Sequence, residues 1–434
     1  YKSLLAYAPE NQPIHTVDDY YRSGLSLAYS CFARPSSQPA LDIQAFTPKF
    51  VYSITSNLKG SSGLTAWGQT KAEAYVRAYE RGCQILIGEK FPEPCVAFKR
   101  TQFNGKTRLV WGYPYSMTAI EGIVARPLLD HFKNGATPMA FGKPNGVLGA
   151  ELRVASYHKH YAYSLDFSSF DATLSARIIH DSFTILKTWF NLSDVEPTTG
   201  LTVAEIFDKI EHYFIHTPIF MPNGNVYKGK RHGVPSGSYF TQLIDSVANV
   251  IIGGTIGARF NLFISKRDIF VLGDDLLFWS NRLISLDVIE KFGNQHFGVK
   301  INASKSSIFQ HDEKIHYLGR DWDRGIPSID QQGIADRMVN PENFRKYSKD
   351  ESTRNREVRL LLLSYAAVYR NAYAMIVNID GPYHRWAVGA KDVQLYQMYG
   401  IGKPKDGPTL NPNHLSGLTR YRLKYVDSGG NQFS

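Results

Sequence analysis

A chain of 434 residues with 43% hydrophobic and 13% aromatic content excludes an intrinsically disordered protein and exceeds the size of a single usual core. Two or three subdomains around a shared cleft are expected. With 49 Lys and Arg against 39 Asp and Glu, a formal charge of +10 suits an anionic partner such as nucleic acid.

The three cysteines, Cys31, Cys83 and Cys95, follow no zinc spacing and cannot all pair with one another, which points to a reducing compartment. The uncharged stretches near Val247 to Ala258 and from Leu360 to Tyr369 fall short of the roughly 18 residues a bilayer span needs. The expectation is a chain with no membrane segment and no signal peptide, in which the sequons at Asn191 and Asn302 are chance matches. It starts at Tyr1 rather than Met, so a missing N-terminal portion is expected.

Residues 1–60 are aromatic, mixed and poorly periodic, and read as a wrapping arm rather than a domain. Gly60 to Thr65 is a Gly- and hydroxyl-rich loop, a plain turn or a phosphate cradle, and helical spacing follows from Lys71 to Ile87. Asn104-Gly105 is a hairpin-turn signal with Lys99 and Arg100 on one arm and Lys106 and Arg108 on the other. Four cations on one ribbon match the charge and fork geometry that a triphosphate requires.

Tyr161, Tyr163 and Leu165 alternate as a strand that runs into Asp166, and a helix is expected from Ser175 to Trp189. Asp166 and Asp171 each read either as a functional carboxylate or as a helix N-cap. Asn223-Gly224-Asn225 is a second hairpin turn, followed by the basic run Lys228 to His232 and the loop Gly233 to Ser238. In the helix expected from Phe240 to Ile256, Thr241, Asp245 and Asn249 share one face, as a solvated stripe or a functional one. Gly253, Gly254 and Gly257 suit close helix packing.

The stretch Ile269 to Trp279 reads as strand, tight turn and returning strand, with Gly273-Asp274-Asp275 at the bend. Two adjacent carboxylates in apolar sequence resist burial, and a divalent cation relieves that repulsion. A helix from Asp287 to Phe297, a hairpin around Ile315 to Trp322, and a long helix from Ser352 to about Val377 complete the pattern before a basic Gly/Pro-rich tail from Gly400.

The ordered set Asp166-x4-Asp171, Ser236-Gly237-x3-Thr241-x7-Asn249, Gly273-Asp274-Asp275, Lys305 and Leu318-Gly319-Arg320 resembles the palm motifs of viral RNA-dependent RNA polymerases. Lys99 to Arg108 resembles their fingertip motif, and Gly233 to Gln242 is similar to the partitivirus and picobirnavirus group of double-stranded RNA viruses. The resemblance implies an α+β right-hand polymerase with fingers, palm and thumb, its antiparallel palm sheet flanked by helices. By family order, residues 1–160 would be arm and fingers, 161–190 and 233–325 palm, 191–232 a fingers insertion, and 326–434 thumb and tail.

It also implies roles. Asp166, Asp274 and Asp275 would hold two Mg²⁺ or Mn²⁺ ions, and Lys305 would be a general acid. Lys99, Arg100, Lys106 and Arg108 would guide the nucleoside triphosphate, while Asp171, Ser236 and Asn249, supported by Thr241, would sense the ribose 2′-hydroxyl. RNA template and product, nucleoside triphosphates and a viral capsid protein are the implied partners, in the host cytoplasm and inside the virion, with synthesis started without a primer. Reverse transcriptases carry a bulky aromatic near the place of Asp171, so the acid favours ribonucleotides. A silent RNA-binding or capsid-associated protein is the remaining alternative, and it has no use for a costly carboxylate cluster.

Overall fold

The computed structural model describes residues 2–101, 107–134 and 137–328, together with Gln332. Lys106, the turn at Asn104-Gly105, the helix expected from Ser352 and the tail from Gly400 lie outside the described residues. The chain divides into two compact units, one of Tyr1–Arg100, Thr107–Phe141 and Ala155–His311, the other of Thr101–Lys106, Gly142–Val154 and Asp312–Ser434.

The first unit begins with four helices, α1 (Lys2–Leu5), α2 (Asp19–Phe32), α3 (Pro48–Ile54) and α4 (Lys71–Leu86). The stretch expected as an aperiodic arm therefore contains a helix of 14 residues. Asp18 caps it by accepting from the Tyr21 amide at 2.8 Å. Its buried face is Tyr21, Gly24, Ala28, Cys31 and Phe32. These positions follow the helical period, but small and hydroxylated residues hide it from a reading that looks for Leu, Ile and Val. Gly60 and its neighbours form a plain turn, with the Lys71 amide donating to the Gly60 carbonyl at 2.9 Å.

Strands β1 (Cys95–Thr101) and β2 (Thr107–Gly112) are the expected basic hairpin, and helices α5 (Tyr115–Asn134) and α6 (Asn145–His158) follow. Next come β3 (Tyr161–Leu165), β4 (Phe167–Ser168), α7 (Phe170–Thr173), α8 (Ala176–Lys187), α9 (Val203–His216), β5 (Ile219–Phe220) and β6 (Val226–Tyr227). Gly224, at φ +86°, makes the predicted turn between the last two strands. The strand order β2-β1-β5-β6 ties residues 219–227 to the basic hairpin through a parallel pairing of Cys95 with Ile219. Within the basic run, Lys230 is buried. Its Nζ donates to the Phe214 and Ile215 carbonyls at 2.6 and 3.0 Å, which satisfies the C-terminal end of α9.

The unit is completed by α10 (Thr241–Phe260), β7 (Ile269–Leu272), β8 (Asp275–Ser280), α11 (Leu286–Phe297), β9 (Lys300–Ile301) and β10 (Ser307–Gln310). Strands β10-β3-β8-β7 make one antiparallel sheet, and β4 pairs with β9. Helix α10 is long and apolar enough to cross a membrane by length and composition alone. With 83% of that window buried inside the structure, it is the core helix beneath the sheet. α2 packs along it, and the glycines permit the approach: a Cβ on Gly254 would stand 2.9 Å from the Cα of Gly24.

In the second unit, β11 (Ile315–Tyr317), β12 (Arg320–Asp323) and β13 (Ile326–Ser328) form an antiparallel meander. The hairpin expected around Ile315 to Trp322 is present, and its turn, Leu318-Gly319, has φ of +55° and +64°, the double left-handed geometry of the tightest hairpins.

A Cβ at Gly24 would lie 2.3 Å from the Ile251 carbonyl oxygen, a backbone atom that cannot swing aside. Gly24→Ala is expected to lower unfolding stability by about 1–3 kcal/mol, as overpacking does. Chemical denaturation measures this, and an unchanged midpoint would contradict the α2–α10 packing.

Candidate active site

Leu272 pairs with Asp275, so Gly273-Asp274 is a two-residue turn. Gly273 has φ +62°, while Asp274 is not among the residues of positive φ. That combination places glycine at the first central position of a hairpin turn. A Cβ there would meet nothing within 4 Å, so backbone conformation alone demands the glycine. From beneath, α10 grips the turn at both ends of that residue. Ser246 Oγ accepts from the Gly273 amide at 3.0 Å, and Asn249 Nδ2 donates to the Gly273 carbonyl at 2.9 Å. The polar stripe on α10 is therefore no solvated face, since Asp245 and Asn249 are buried and Thr241 is half-buried.

Asp166 arrives from β3. The last pair of the β3–β8 ladder is Leu165 with Leu276, and the next position on each strand is Asp166 and Asp275. Neighbouring antiparallel strands bring such positions to about 5 Å between Cα atoms. The Asp166 backbone is held on both sides, its amide donating to Ser306 Oγ at 3.0 Å and its carbonyl accepting from the Asn302 amide at 2.9 Å. Lys305 belongs to this clamp through its own amide, which donates to the Asn302 carbonyl at 3.2 Å, and its side chain is exposed.

Asp171 stands in the first turn of α7, whose N-cap is Ser169, so neither Asp166 nor Asp171 is an N-cap. Its carbonyl accepts from the Val234 amide at 2.7 Å, which binds the Gly233–Ser238 loop to this turn. Burial and then the Asp274 charge push the Asp171 carboxyl up to about 6, with Arg108 opposing them. Burial also raises Asp274; Arg108 opposes this rise and Asp166 adds to it. Asp245, only 4% exposed, is driven furthest, by burial and then by Asp171 and Asp274. Its Oδ1 and that of Asn249 are enclosed with no hydrogen-bond partner.

Asp171, Asp245 and Asp274 thus feel neighbouring acids, Asp166 acts on Asp274, and Arg108 on β2 is the cation that reaches Asp171 and Asp274. Lys99 and Arg100 are exposed on β1. Ser236 Oγ accepts from the Trp111 amide at 2.9 Å, and Thr241 Oγ1 donates to the Pro235 carbonyl at 2.8 Å. Both fasten the loop ahead of α10. Sequence reasoning placed Asp245 on the right helix face without assigning it to the site, although an acid inside an apolar helix was the available signal. Ser246, Asn302 and Ser306 carried no such signal, because a hydroxyl or amide that binds backbone looks like any other.

The same loop is braced by a residue that sequence reasoning missed, Glu121 on α5, which is wholly buried. Its Oε1 accepts from Tyr113 Oη and Ser238 Oγ, both at 2.7 Å, and its Oε2 from the Tyr239 amide at 2.9 Å. Burial raises its carboxyl to about 7 against these bonds, which favour the charged form.

These elements define a polymerase palm: a sheet whose central strand ends in one acid beside a hairpin tip bearing two more, backed by a polar-faced helix. The sequence matches the family model described as viral RNA-dependent RNA polymerase over residues 103–374. The chain belongs to that family. It is 32% identical over 245 residues to the RNA-directed RNA polymerase of Cryptosporidium parvum virus 1, covering 52% of this chain and 44% of that protein. It is 30% identical over 148 residues to the one from Atkinsonella hypoxylon virus, covering 32% and 22%. The chain thus spans less than half the length of these curated relatives. Among solved structures, a loop-deleted RNA-dependent RNA polymerase of a human picobirnavirus superposes with a TM-score of 0.69 at 15% identity, covering 98% of this chain and 82% of that one. The shared fold is the expected right-hand α+β polymerase.

Because native Glu121 holds its proton more tightly than the unfolded chain does, its stabilising contribution is complete below about 4.5 and lost as pH rises through about 7. A shift of this size corresponds to about 3 kcal/mol as an order of magnitude. Melting curves at pH 5 and pH 8 should show a smaller alkaline loss in Glu121→Gln than in the parent protein. An equal loss in both would exclude titration of Glu121 in that window.

Proposed function

We propose that this chain performs RNA-templated RNA synthesis by nucleotidyl transfer, copying a viral RNA genome. The observation that carries this reading is the adjacency of Asp166, at the end of β3, to Asp274 and Asp275 at the β7–β8 turn. Clustered acids on a rigid sheet end are poor neighbours for one another and good oxygen ligands for a hard cation. Among the described residues no three such side chains stand ready-arranged around a metal, so the support comes from strand register and from the charge the acids share. Asp166, Asp274 and Asp275 would hold two ions, Mg²⁺ or Mn²⁺, which when bound activate a 3′-hydroxyl and neutralise departing pyrophosphate.

The remaining work falls to side chains. Arg108, with Lys99 and Arg100 on the neighbouring strand and Lys106 by sequence, receives the triphosphate, where positioning and charge neutralisation supply most of the rate. Asp171 accepts a hydrogen bond from the ribose 2′-hydroxyl, and Ser236 and Asn249 line the same pocket while Thr241 secures the loop that bears Ser236. Lys305, exposed on the loop that clamps Asp166, donates a proton to the pyrophosphate oxygen as it leaves. Template pairing supplies sequence, and the protein reads phosphate and shape, so binding weakens steeply with salt.

The viral family supports work in the host cytoplasm, inside the virion and beside a capsid protein. Templated synthesis by the purified protein, with and without primer and with either metal, tests the reading. Asp274→Ala is expected to lower the rate by about a thousandfold, the several kcal/mol that metal-ion catalysis is worth, while RNA binding persists. Lys305→Ala should lower kcat about 10²- to 10⁴-fold, the range of general-acid catalysis. Incorporation of deoxyribonucleotides in preference to ribonucleotides would refute the pocket around Asp171, and RNA binding with no synthesis under any of these conditions would refute the enzyme.

A further inference from the structure

At the end of the palm sheet remote from the acids, the chain passes from α10 into β7 through residues 261–268. Leu262 is buried there, its amide donating to the Gly257 carbonyl at 2.8 Å and its carbonyl accepting from Ser280 Oγ at 2.9 Å. Ile264 packs back against Gly257. With both neighbours anchored inward, Phe263 is turned out, 71% exposed, with φ +51°. A bulky aromatic in the left-handed region is a strained choice where glycine or asparagine would sit freely, as Asn261 does at φ +54°. The ring is mostly exposed and stands beside the Arg282 guanidinium, so burial in the core does not explain the strained backbone.

Cations surround it. The Arg282 guanidinium, from the loop after β8, lies 5.9 Å from the ring centroid. Lys266 and Arg267 are exposed in the turn before β7. The acid of that turn, Asp268, is already engaged: it accepts from the Ser265 amide and Oγ at 2.9 and 2.7 Å and lies 3.8 Å from Lys159 Nζ. The turn is therefore rigidly capped and leaves its two cations to solvent. β8 separates this end from Asp275 by five residue steps, about 17 Å of strand.

We propose that Phe263, Arg282, Lys266 and Arg267 form a second RNA site, a stacking platform for single-stranded RNA apart from the catalytic acids. An exposed ring face flanked by Arg takes a nucleobase, and nearby cations take the adjoining phosphates. An acidic protein segment would use the cations but would not need a protruding ring. The choice of RNA among polyanions rests on the polymerase reading. Such a platform retains a template or product strand while the palm works on another part of it.

The test follows hydrogen-exchange protection of the peptide spanning residues 257–267 as a short oligouridylate is titrated onto the full chain. Protection in this peptide reports the platform separately from RNA bound at the acids. Phe263→Gly, which removes the ring and relieves the backbone, is expected to melt no lower than the parent protein. It should extend a pre-annealed primer at the parent rate, yet need about tenfold more oligouridylate for the same protection, as loss of one stacked base implies. Lys266→Glu with Arg267→Glu should flatten the salt dependence of that protection. Unchanged protection in both variants overturns the proposal, as does displacement of the RNA by oligoglutamate as effectively as by unlabelled RNA, which would assign the patch to an acidic protein segment. Absence of RNA synthesis by the parent protein would sink the polymerase reading and leave this measurement standing.

Discussion

Mutual repulsion among carboxylates at one end of the palm sheet is the constraint around which the chain is built. Burial and neighbouring carboxylates raise the proton affinity of Asp171, Asp245 and Asp274, and Arg108 offsets the rise at Asp171 and Asp274. Left to themselves, such groups would splay apart or draw water in. They are kept together through their backbones: Ser246 and Asn249 hold Gly273, Asn302 and Ser306 hold Asp166, and Val234 holds Asp171. Every one of those bonds is made to main chain, so the acids are positioned through their backbone.

Rigidity behind the acids comes from apolar packing of an unusual closeness. α10 must approach both the sheet and α2, and glycine is used wherever a side chain would hold the partner away. Gly253 lies under Ile269 and Leu276, and Gly254 lies against Gly24. The N-terminal stretch thereby supports the Gly273-Asp274 turn from two layers below. A second brace runs from α5, where buried Glu121 collects Tyr113, Ser238 and the Tyr239 amide. It fixes the loop that carries Ser236 and begins α10, so the face bearing Asp245 and Asn249 starts from a defined point. A buried charge is a costly way to fix a loop, but three donors converging on one carboxylate specify a geometry that apolar contact cannot.

The strongest local signals were the ones the structure reproduces. The Tyr161–Leu165 strand and the Gly273-Asp274 turn follow from alternation and from a glycine that accepts positive φ, which are properties of a few consecutive positions. By contrast, α2 was illegible because its buried face is Tyr, Gly, Ala, Cys and Phe. That this face is the buried one is decided by Gly254 and its neighbours, more than two hundred positions away. Lys230 was misleading for the same reason. In a basic run it looks like a surface cation, yet it closes the end of α9.

Local chemistry in the sequence was enough to mark out the carboxylates, the cations and the tight turns, and the order in which they occur, because these are written in residue type. Tertiary structure alone decided that Asp166 sits one register step beyond the Leu165–Leu276 pair and so beside the hairpin acids, and that Asp245 is shut in among them. It also decided that Glu121 and Ser246 belong to the site while Lys99 and Arg100 stand on the exposed arm of their ribbon. Strand register and burial are set by contacts between distant segments, and no window of sequence contains them.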